Sequence, residues 1–413
     1  MISNNPTNQK NPKVISDNSG GAIIVWEDSV NSYFDIYAQR INSAGIVQWT
    51  GNGIPVCAAP NIQINPKLDL DGAGGAIITW QDKRTNIDYD IYAQRINGTG
   101  NIYWATNGVA VCTSANTQNN PRIEPDGSNG AIIAWIDKRA GTDYDIYAQR
   151  LNSAGVPQWT LNGIAVCNAV NNQSAVDIKY LGANGIAMSW KDQRNGSYDI
   201  YSQIMSLSGT PVMTANGVKI SNSLKALNPN NLADGSGGVI VAWEDSVAVT
   251  GWNIASQKIN SGGILQWGAG GITVSNATDD QISVSQVSDG NGGAIYVWED
   301  HRNTTDYDVY AQHLYYDGNT AIGIKELTTL ADQLIFYPNP AGEYAYLKFK
   351  DGSPVSLKIR IYNSLGSLVK EEDVVNTTIV RLELRDFDAG ICHYVIFDKE
   401  KNSTYTGTFL SGH

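Results

Sequence analysis

The chain reads as an all-β protein: a six-bladed β-propeller of four-stranded antiparallel blades, followed by a small β-sandwich. Three observations predict this. The stretch Gly20-Gly-Ala-Ile-Ile-Val-Trp-Glu-Asp28 recurs five more times, placing Trp26, Trp80, Trp135, Trp190, Trp243 and Trp298 at spacings of 54, 55, 55, 53 and 55 residues. A period of that size means a repeat architecture. Gly reaches 41, Tyr 21 and Trp 11 while charged residues are only 16%, a composition that suits short strands joined by tight turns. From about Asp332 the period is lost and apolar and polar residues alternate instead, which argues a separate antiparallel unit.

The second repeat shows the elements in order. Asn65-Pro-Lys-Leu-Asp-Leu opens as a short strand, and Asp71-Gly-Ala-Gly-Gly75 supplies the glycines of a sharp turn. Ala76-Ile-Ile-Thr-Trp80 is apolar without alternation and reads as a strand buried on both faces. Asp90-Ile-Tyr-Ala-Gln-Arg-Ile96 follows as a third strand, and Asn107-Gly-Val-Ala-Val-Cys112 as a fourth. Four-stranded units arranged radially protect their edges by stacking blade on blade.

The sixth repeat runs through Asp308-Val-Tyr-Ala-Gln-His-Leu314 and then lacks the fourth-strand segment. Ile2-Ser-Asn-Asn before Asn11-Pro-Lys is similar to Ile220-Ser-Asn-Ser before Asn228-Pro-Asn. Residues 2–9 are therefore expected to supply the missing outer strand and close the ring, with the propeller at 1–328 and the C-terminal domain at 329–413.

The formal net charge is −12, so the long-range field repels phosphate backbones and anionic membranes, and nucleic acid is not an expected partner. No apolar run is long enough to span a bilayer as a transmembrane segment. Met1-Ile-Ser-Asn-Asn-Pro-Thr has neither the charged nor the apolar region of a signal peptide, so an exported protein is expected to have lost its signal. Cys57, Cys112 and Cys167 share one repeat position, with Ser221 and Ser275 in the next two repeats. They read as small buried residues, a repeat apart and too distant for disulfides.

The C-terminal segments are Leu334-Ile-Phe-Tyr-Pro-Asn-Pro-Ala341, Leu357-Lys-Ile-Arg-Ile-Tyr-Asn-Ser-Leu-Gly-Ser-Leu-Val369 and Phe387-Asp-Ala-Gly-Ile-Cys-His-Tyr-Val-Ile-Phe397. This span resembles the type A C-terminal sorting domain of the type IX secretion system, in its Tyr-Pro-Asn-Pro opening, its Ile-Tyr-Asn-x-x-Gly hairpin and a late Gly-x-Tyr strand. The motif falls on Tyr337, Pro338, Asn339, Pro340, Gly366 and Gly390. Gly390-Ile-Cys-His-Tyr394 lengthens the last step, and Gly407-Thr-Phe-Leu-Ser-Gly-His413 lacks the usual basic finish. The resemblance implies an immunoglobulin-like sandwich, the type IX secretion machinery as a partner, and a location outside or on the outer surface of a Gram-negative cell. The propeller's repeats are similar to those of exported proteins with such tails, and no single activity follows from that.

Carboxylates recur after each tryptophan, at Asp28, Asp82, Asp137, Asp192, Asp245 and Asp300, and before the third strand, at Asp35, Asp90, Asp145, Asp199 and Asp308. Asp88 with Asp90, Asp143 with Asp145, and Asp306 with Asp308 offer oxygens to a cation such as Ca²⁺, the one cofactor the sequence suggests. An acid repeated in every blade is more simply structural, accepting turn amides or pairing with Arg84, Arg139, Arg194 and Arg302. The turn at Asp71 resembles the Asp-box of sialidase-like propellers with a different spacing, but no second specialised carboxylate, tyrosine nucleophile or Ser/His/Asp set stands out. No catalytic constellation is predicted.

Blades one and five break the pattern, with Ser29-Val-Asn-Ser-Tyr-Phe-Asp35 and Ser246-Val-Ala-Val-Thr-Gly-Trp-Asn253. Tyr33, Phe34, Val249 and Trp252 are thereby candidates for an aromatic platform that stacks on a glycan or anchors a protein. The competing reading packs Phe34 and Trp252 where other blades place Tyr89, Tyr144 and Tyr307. Trp49, Trp104, Trp159 and Trp267 are expected to pack between blades. Three function classes remain open: a non-enzymatic surface or secreted binding and adhesion protein; a structural subunit of an extracellular homo-oligomer or filament; and a hydrolase acting on polysaccharide.

Overall fold

The computed structural model describes residues 1–30, 32–247, 251–320, 334–337, 341, 343–349, 355–363, 367–385, 387, 390–398 and 403–411. The chain divides into two compact units, Met1–Ala321 and Ile322–His413. The boundary expected at 328 lies outside the described residues.

The first unit is a succession of antiparallel sheets. The first sheet holds β1 (Gln9–Ser16), β2 (Ala22–Asp28), β3 (Asp35–Ile41) and β4 (Ile54–Cys57). The second holds β5 (Gln63–Leu70), β6 (Ala76–Asp82), β7 (Asp90–Ile96) and β8 (Val109–Cys112), and the third β9 (Gln118–Pro125), β10 (Ala131–Asp137), β11 (Asp145–Leu151) and β12 (Ile164–Cys167). The fourth has β13 (Gln173–Tyr180), β14 (Ile186–Asp192), β15 (Asp199–Met205) and β16 (Val218–Lys219), and the fifth β17 (Lys225–Ala233), β18 (Val239–Val247), β19 (Gly251–Ile259) and β20 (Ile272–Ser275). The sixth has three strands, β21 (Gln281–Ser288), β22 (Ala294–Asp300) and β23 (Asp308–Leu314).

Local chemistry explains these boundaries. Asp71 Oδ1 accepts the N–H groups of Ala73 and Gly75 at 2.8 and 2.7 Å, an Asx turn that joins the first two strands of its sheet. The fourth strand begins at Asn107-Gly108, both at positive φ, because a Cβ on Gly108 would stand 2.6 Å from the Trp80 ring. Each first strand carries a bulge, at Asn65 in β5, where φ is 56° and the register shifts between Ile64 and Lys67.

Consecutive sheets pack by one rule. β5 lies over β1, β2 and β3; β9 over β5, β6 and β7; and the same holds for β13, β17 and β21 over the sheets before them. Apolar clusters accordingly span neighbouring sheets, as where Ile23 and Val25 meet Ala76, Ile78 and Trp80. The indole N–H groups of Trp49, Trp104, Trp159 and Trp267 each donate to a carbonyl of the following sheet, those of Gly98, Ser153, Leu207 and Tyr316, at 3.0–3.4 Å.

The closing strand expected from residues 2–9 takes a different form. Residues 1–8 form no strand, and among the described residues β23 has no fourth-strand partner. The segment runs along its own first sheet: Asn4 N–H donates to Asn52 Oδ1 at 2.8 Å, and Thr7 Oγ1 to Asp28 Oδ1 at 2.8 Å. It thus occupies the place that the end of a preceding fourth strand takes, since Ala58 N–H bonds Asn107 Oδ1 at 3.0 Å in the same way.

The second unit contains a three-stranded sheet of β24 (Leu334–Tyr337), β25 (Tyr344–Phe349) and β28 (Val380–Glu383). A four-stranded sheet orders β27 (Leu368–Thr377), β26 (Val355–Tyr362), β29 (Gly390–Asp398) and β30 (Ser403–Ser411). Leu347 and Leu382 of the first share one buried cluster with Leu357, Ile359, Ile396 and Phe409 of the second. Among the described residues no helix is long and apolar enough to cross a membrane.

Candidate functional site

The six carboxylates after the tryptophans are turned inward. Each accepts the indole N–H of the tryptophan two residues earlier, at 2.7–3.2 Å, from Trp26 to Asp28 through Trp298 to Asp300. In four sheets Arg84, Arg139, Arg194 and Arg302 close on the same carboxylates at 2.5–2.7 Å. Their guanidinium planes lie 3.6–3.8 Å from the ring centres of Tyr92, Tyr147, Tyr201 and Tyr310. A bidentate partner and an aromatic face fix the guanidinium on both sides. In sheets one and five Val30 and Val247 stand in the arginine place. There Asp28 takes bonds from Asn5 and Thr7 instead.

The three repeated cysteines tie sheets together. Cys57, Cys112 and Cys167 lie 3.7–3.9 Å from Asp82, Asp137 and Asp192 of the next sheet. Burial pushes the Cys57 and Cys167 thiols up to about 12, so they remain protonated and inert at neutral pH.

The second series of acids is also buried, with Asp35, Asp90, Asp145 and Asp199 1–6% exposed, and only Asp308 is open to solvent. Asp90 is the cross-strand partner of Asp82, and Asp145 of Asp137. Burial first, then the charges of Asp88 and Asp82, push Asp90 up to about 7. Burial, Asp137 and Asp143 push Asp145 up to about 6. Asp88 and Asp90 line a cleft of about 490 Å³ with Ile87, Tyr92, Thr113, Ser114 and Asn116. In the sixth sheet Asn303 Nδ2 bridges Asp306 and Asp308, at 2.6 and 3.0 Å. Among the described residues no group of three or more His, Cys, Asp or Glu side chains is placed to hold a metal ion.

Two of the aromatic departures each meet a lysine of their own sheet. Phe34 lies under Lys10, 3.7 Å from its Nζ, and Trp252 under Lys225, 5.5 Å away. Tyr89, Tyr144 and Tyr198 sit under Lys83, Lys138 and Lys191 at the same repeat position. Tyr33 is exposed beside Phe34, and Val249 lies outside the described residues. Among the described residues the strands of sheets one and five do not pack on each other, because packing follows the chain from each sheet to the next.

Of the sorting motif, Tyr337 stacks on Tyr346 with ring centres 5.6 Å apart, and Gly390 opens β29 opposite Ser411. Pro338, Asn339, Pro340 and Gly366 lie outside the described residues.

Two features escape a reading of repeats one at a time. The residue between tryptophan and acid reaches the next sheet: Glu27 Oε1 accepts the Asn65 N–H at 2.7 Å, Gln81 that of Asn120 at 3.1 Å, and Glu244 that of Ser283 at 2.9 Å. Its signal is a polar side chain inside an apolar run. Secondly, the turn acids Asp17, Asp71 and Asp126 pair with Arg40, Arg95 and Arg150 at 2.8–3.0 Å. In the fourth sheet Leu181 and Ile204 hold those two places, buried in one apolar cluster.

Residues 335–410 match the family described as the secretion system C-terminal sorting domain. The chain therefore carries a tail of type IX-exported proteins, and its destination is the cell surface or the extracellular space. Among curated proteins none matches the chain in sequence. Solved structures similar to it include an endo-arabinase from Bacteroides thetaiotaomicron, 13% identical over 74% of this chain and 94% of that one, with a TM-score of 0.35. A protein of unknown function from Dyadobacter fermentans is 11% identical over 75% and 95%, TM-score 0.39. An α-L-arabinofuranosidase from Fusarium graminearum is 9% identical over 76% and 96%, TM-score 0.39.

Proposed function

We propose that this exported protein is a non-enzymatic binding protein, whose N-terminal unit is a six-bladed propeller-like array holding a glycan in clefts between outer strands. In this reading the two sheets of the C-terminal unit form the small sandwich recognised by the type IX machinery. One observation carries the proposal. In the Asp82/Asp90 pair, one carboxylate is sealed by Trp80 and Arg84, and its cross-strand partner lines the cleft. Glycoside hydrolysis generally needs two carboxyl groups flanking the same bond, and a sealed acid reaches no substrate.

The cleft at Asp90 supports binding. Thr113, Ser114 and Asn116 offer hydroxyl and amide groups, Asp90 is largely protonated below about pH 7 and can both donate and accept, and Ile87 gives an apolar surface. A glycan array probed with the full chain tests this. The expected result is a defined set of retained glycans, weakened by Asp90→Ala and Asn116→Ala. Retention unchanged in both variants would contradict the cleft assignment.

A further inference from the structure

The two ends of the array are bare in a matched way. On five sheets the face of the second and third strands is covered by the sheet that follows, so that Ile77, Thr79 and Ile91 are 0–1% exposed. On the sixth, the same positions are Ile295, Val297 and Val309, exposed by 39%, 41% and 80%. At the other end, among the described residues, no sheet packs over β1 from before it. Pro12 and Val14 are exposed there, Val14 by 64%, whereas Pro66, Pro121 and Pro229 are buried beneath their preceding sheets.

We propose that the bare face of the sixth sheet receives the first sheet of a second copy of this chain, in the register that joins consecutive sheets within one chain, so that copies associate head to tail. The interface is continuous with one the chain already builds five times. The surface that fits the sixth sheet is a first strand with a bulge at Asn11, at φ 52°, like Asn65 at φ 56°. Glu299 stands on the sixth sheet where Glu27 and Glu244 bond the next sheet's bulge N–H, and it meets Asn11 of the incoming copy.

The N-terminal segment completes the fit. Ser3 holds the position of Cys57, Cys112 and Cys167, and Asn4 is already bonded to Asn52 as the residue after a fourth strand should be. An arriving first sheet thus brings residues 2–4 to the edge of β23, where the sixth sheet has three strands. Charge agrees, since Lys13 of β1 approaches Glu299, while Lys10 is paired with Glu27 of its own sheet at 3.4 Å. A heterologous contact of this kind, made from two different patches, extends into chains of copies unless the rotation closes.

Complementation of two variants of the full chain tests the proposal. Val309→Asp spoils the sixth-sheet face and Val14→Asp the first-sheet face; both positions are exposed, and unchanged thermal midpoints establish that the variants fold. In sedimentation equilibrium the wild-type mass rises with concentration, and each variant alone is monomeric over the same range, its association weakened at least about tenfold, as a cost of some 1.4 kcal/mol or more requires. An equimolar mixture gives a mass of two chains and no more, because one intact face remains on each variant. A wild type monomeric at every concentration overturns the proposal. So does a dimer that both variants abolish without rescue on mixing, which is the behaviour of an isologous contact, and so does an assembly indifferent to both substitutions.

Discussion

Asp82 and Asp90 lie directly opposite each other on β6 and β7, and the fold treats them in opposite ways. Asp82 is buried with Trp80 and Arg84 bonded to it, at 2.8 and 2.7 Å. Asp90 keeps a proton up to about pH 7 because burial and two neighbouring carboxylates disfavour its charge. The two carboxylates of this pair are thus set in different states, one ion-paired and one protonated.

This gives the pH dependence a sign. Asp90 rises to about 7 and Asp69, Asp145 and Asp177 to about 6, all by burial first. Between the unfolded carboxylate range near pH 4 and these values the folded chain holds more protons, so stability contributed by these groups falls as pH rises from about 4 to about 7 and is level above that. Asp17 and Asp300, held low by hydrogen bonds and arginine against the opposing effect of burial, act below this window. The thermal midpoint of the double variant Asp90→Asn, Asp145→Asn is expected to depend less on pH between about 5 and 8 than that of the wild type. Parallel profiles would show that the two acids ionise freely.

The sealed carboxylates carry stability. Asp137→Asn keeps an acceptor for Trp135 but leaves Arg139 half-buried without its counter-charge. Breaking one partner of such a pair costs about 3–5 kcal/mol when fully buried, and about 2–3 kcal/mol is expected at this partly open site. Urea denaturation at neutral pH reads it. A variant within about 0.5 kcal/mol of wild type would remove the clamp from the list of structural supports.

Much of this was legible because the informative residues repeat. The tryptophan series and the Gly-Gly turns set the phase, and Asn107-Gly108 marked the start of a fourth strand beneath the Trp80 ring, where there is no room for a Cβ at Gly108. The structural reading of Asp82 was available from Arg84 two residues on. Other features were not visible because they belong to pairs. Ile2-Ser3-Asn4 showed its kinship to a fourth strand, but which sheet it rests on is decided by Asn52, far along the chain. Leu181 and Ile204 appear in sequence as two unrelated departures, and only the sheet reveals that they vacate the two ends of one ion pair.

That exchange can be reversed. Ile204→Arg places a guanidinium in an apolar cluster and is expected to destabilise the chain by about 3 kcal/mol or more. Adding Leu181→Asp restores the pair seen at Asp71 and Arg95, so the double variant should recover most of the loss, with a coupling of about 1–3 kcal/mol in a denaturation double-mutant cycle. Strict additivity would mean that the two positions do not meet in the fourth sheet.

That the repeated acids hold sheets together and leave the clefts to bind is checked by reducing-end release from a panel of plant and bacterial polysaccharides incubated with the full chain. Release no greater than that of the buffer is expected on any substrate that the protein retains. Release that depends on the chain and disappears in Asp90→Asn would contradict it, since an acid then acts on a bond that no second carboxylate of its pair can reach.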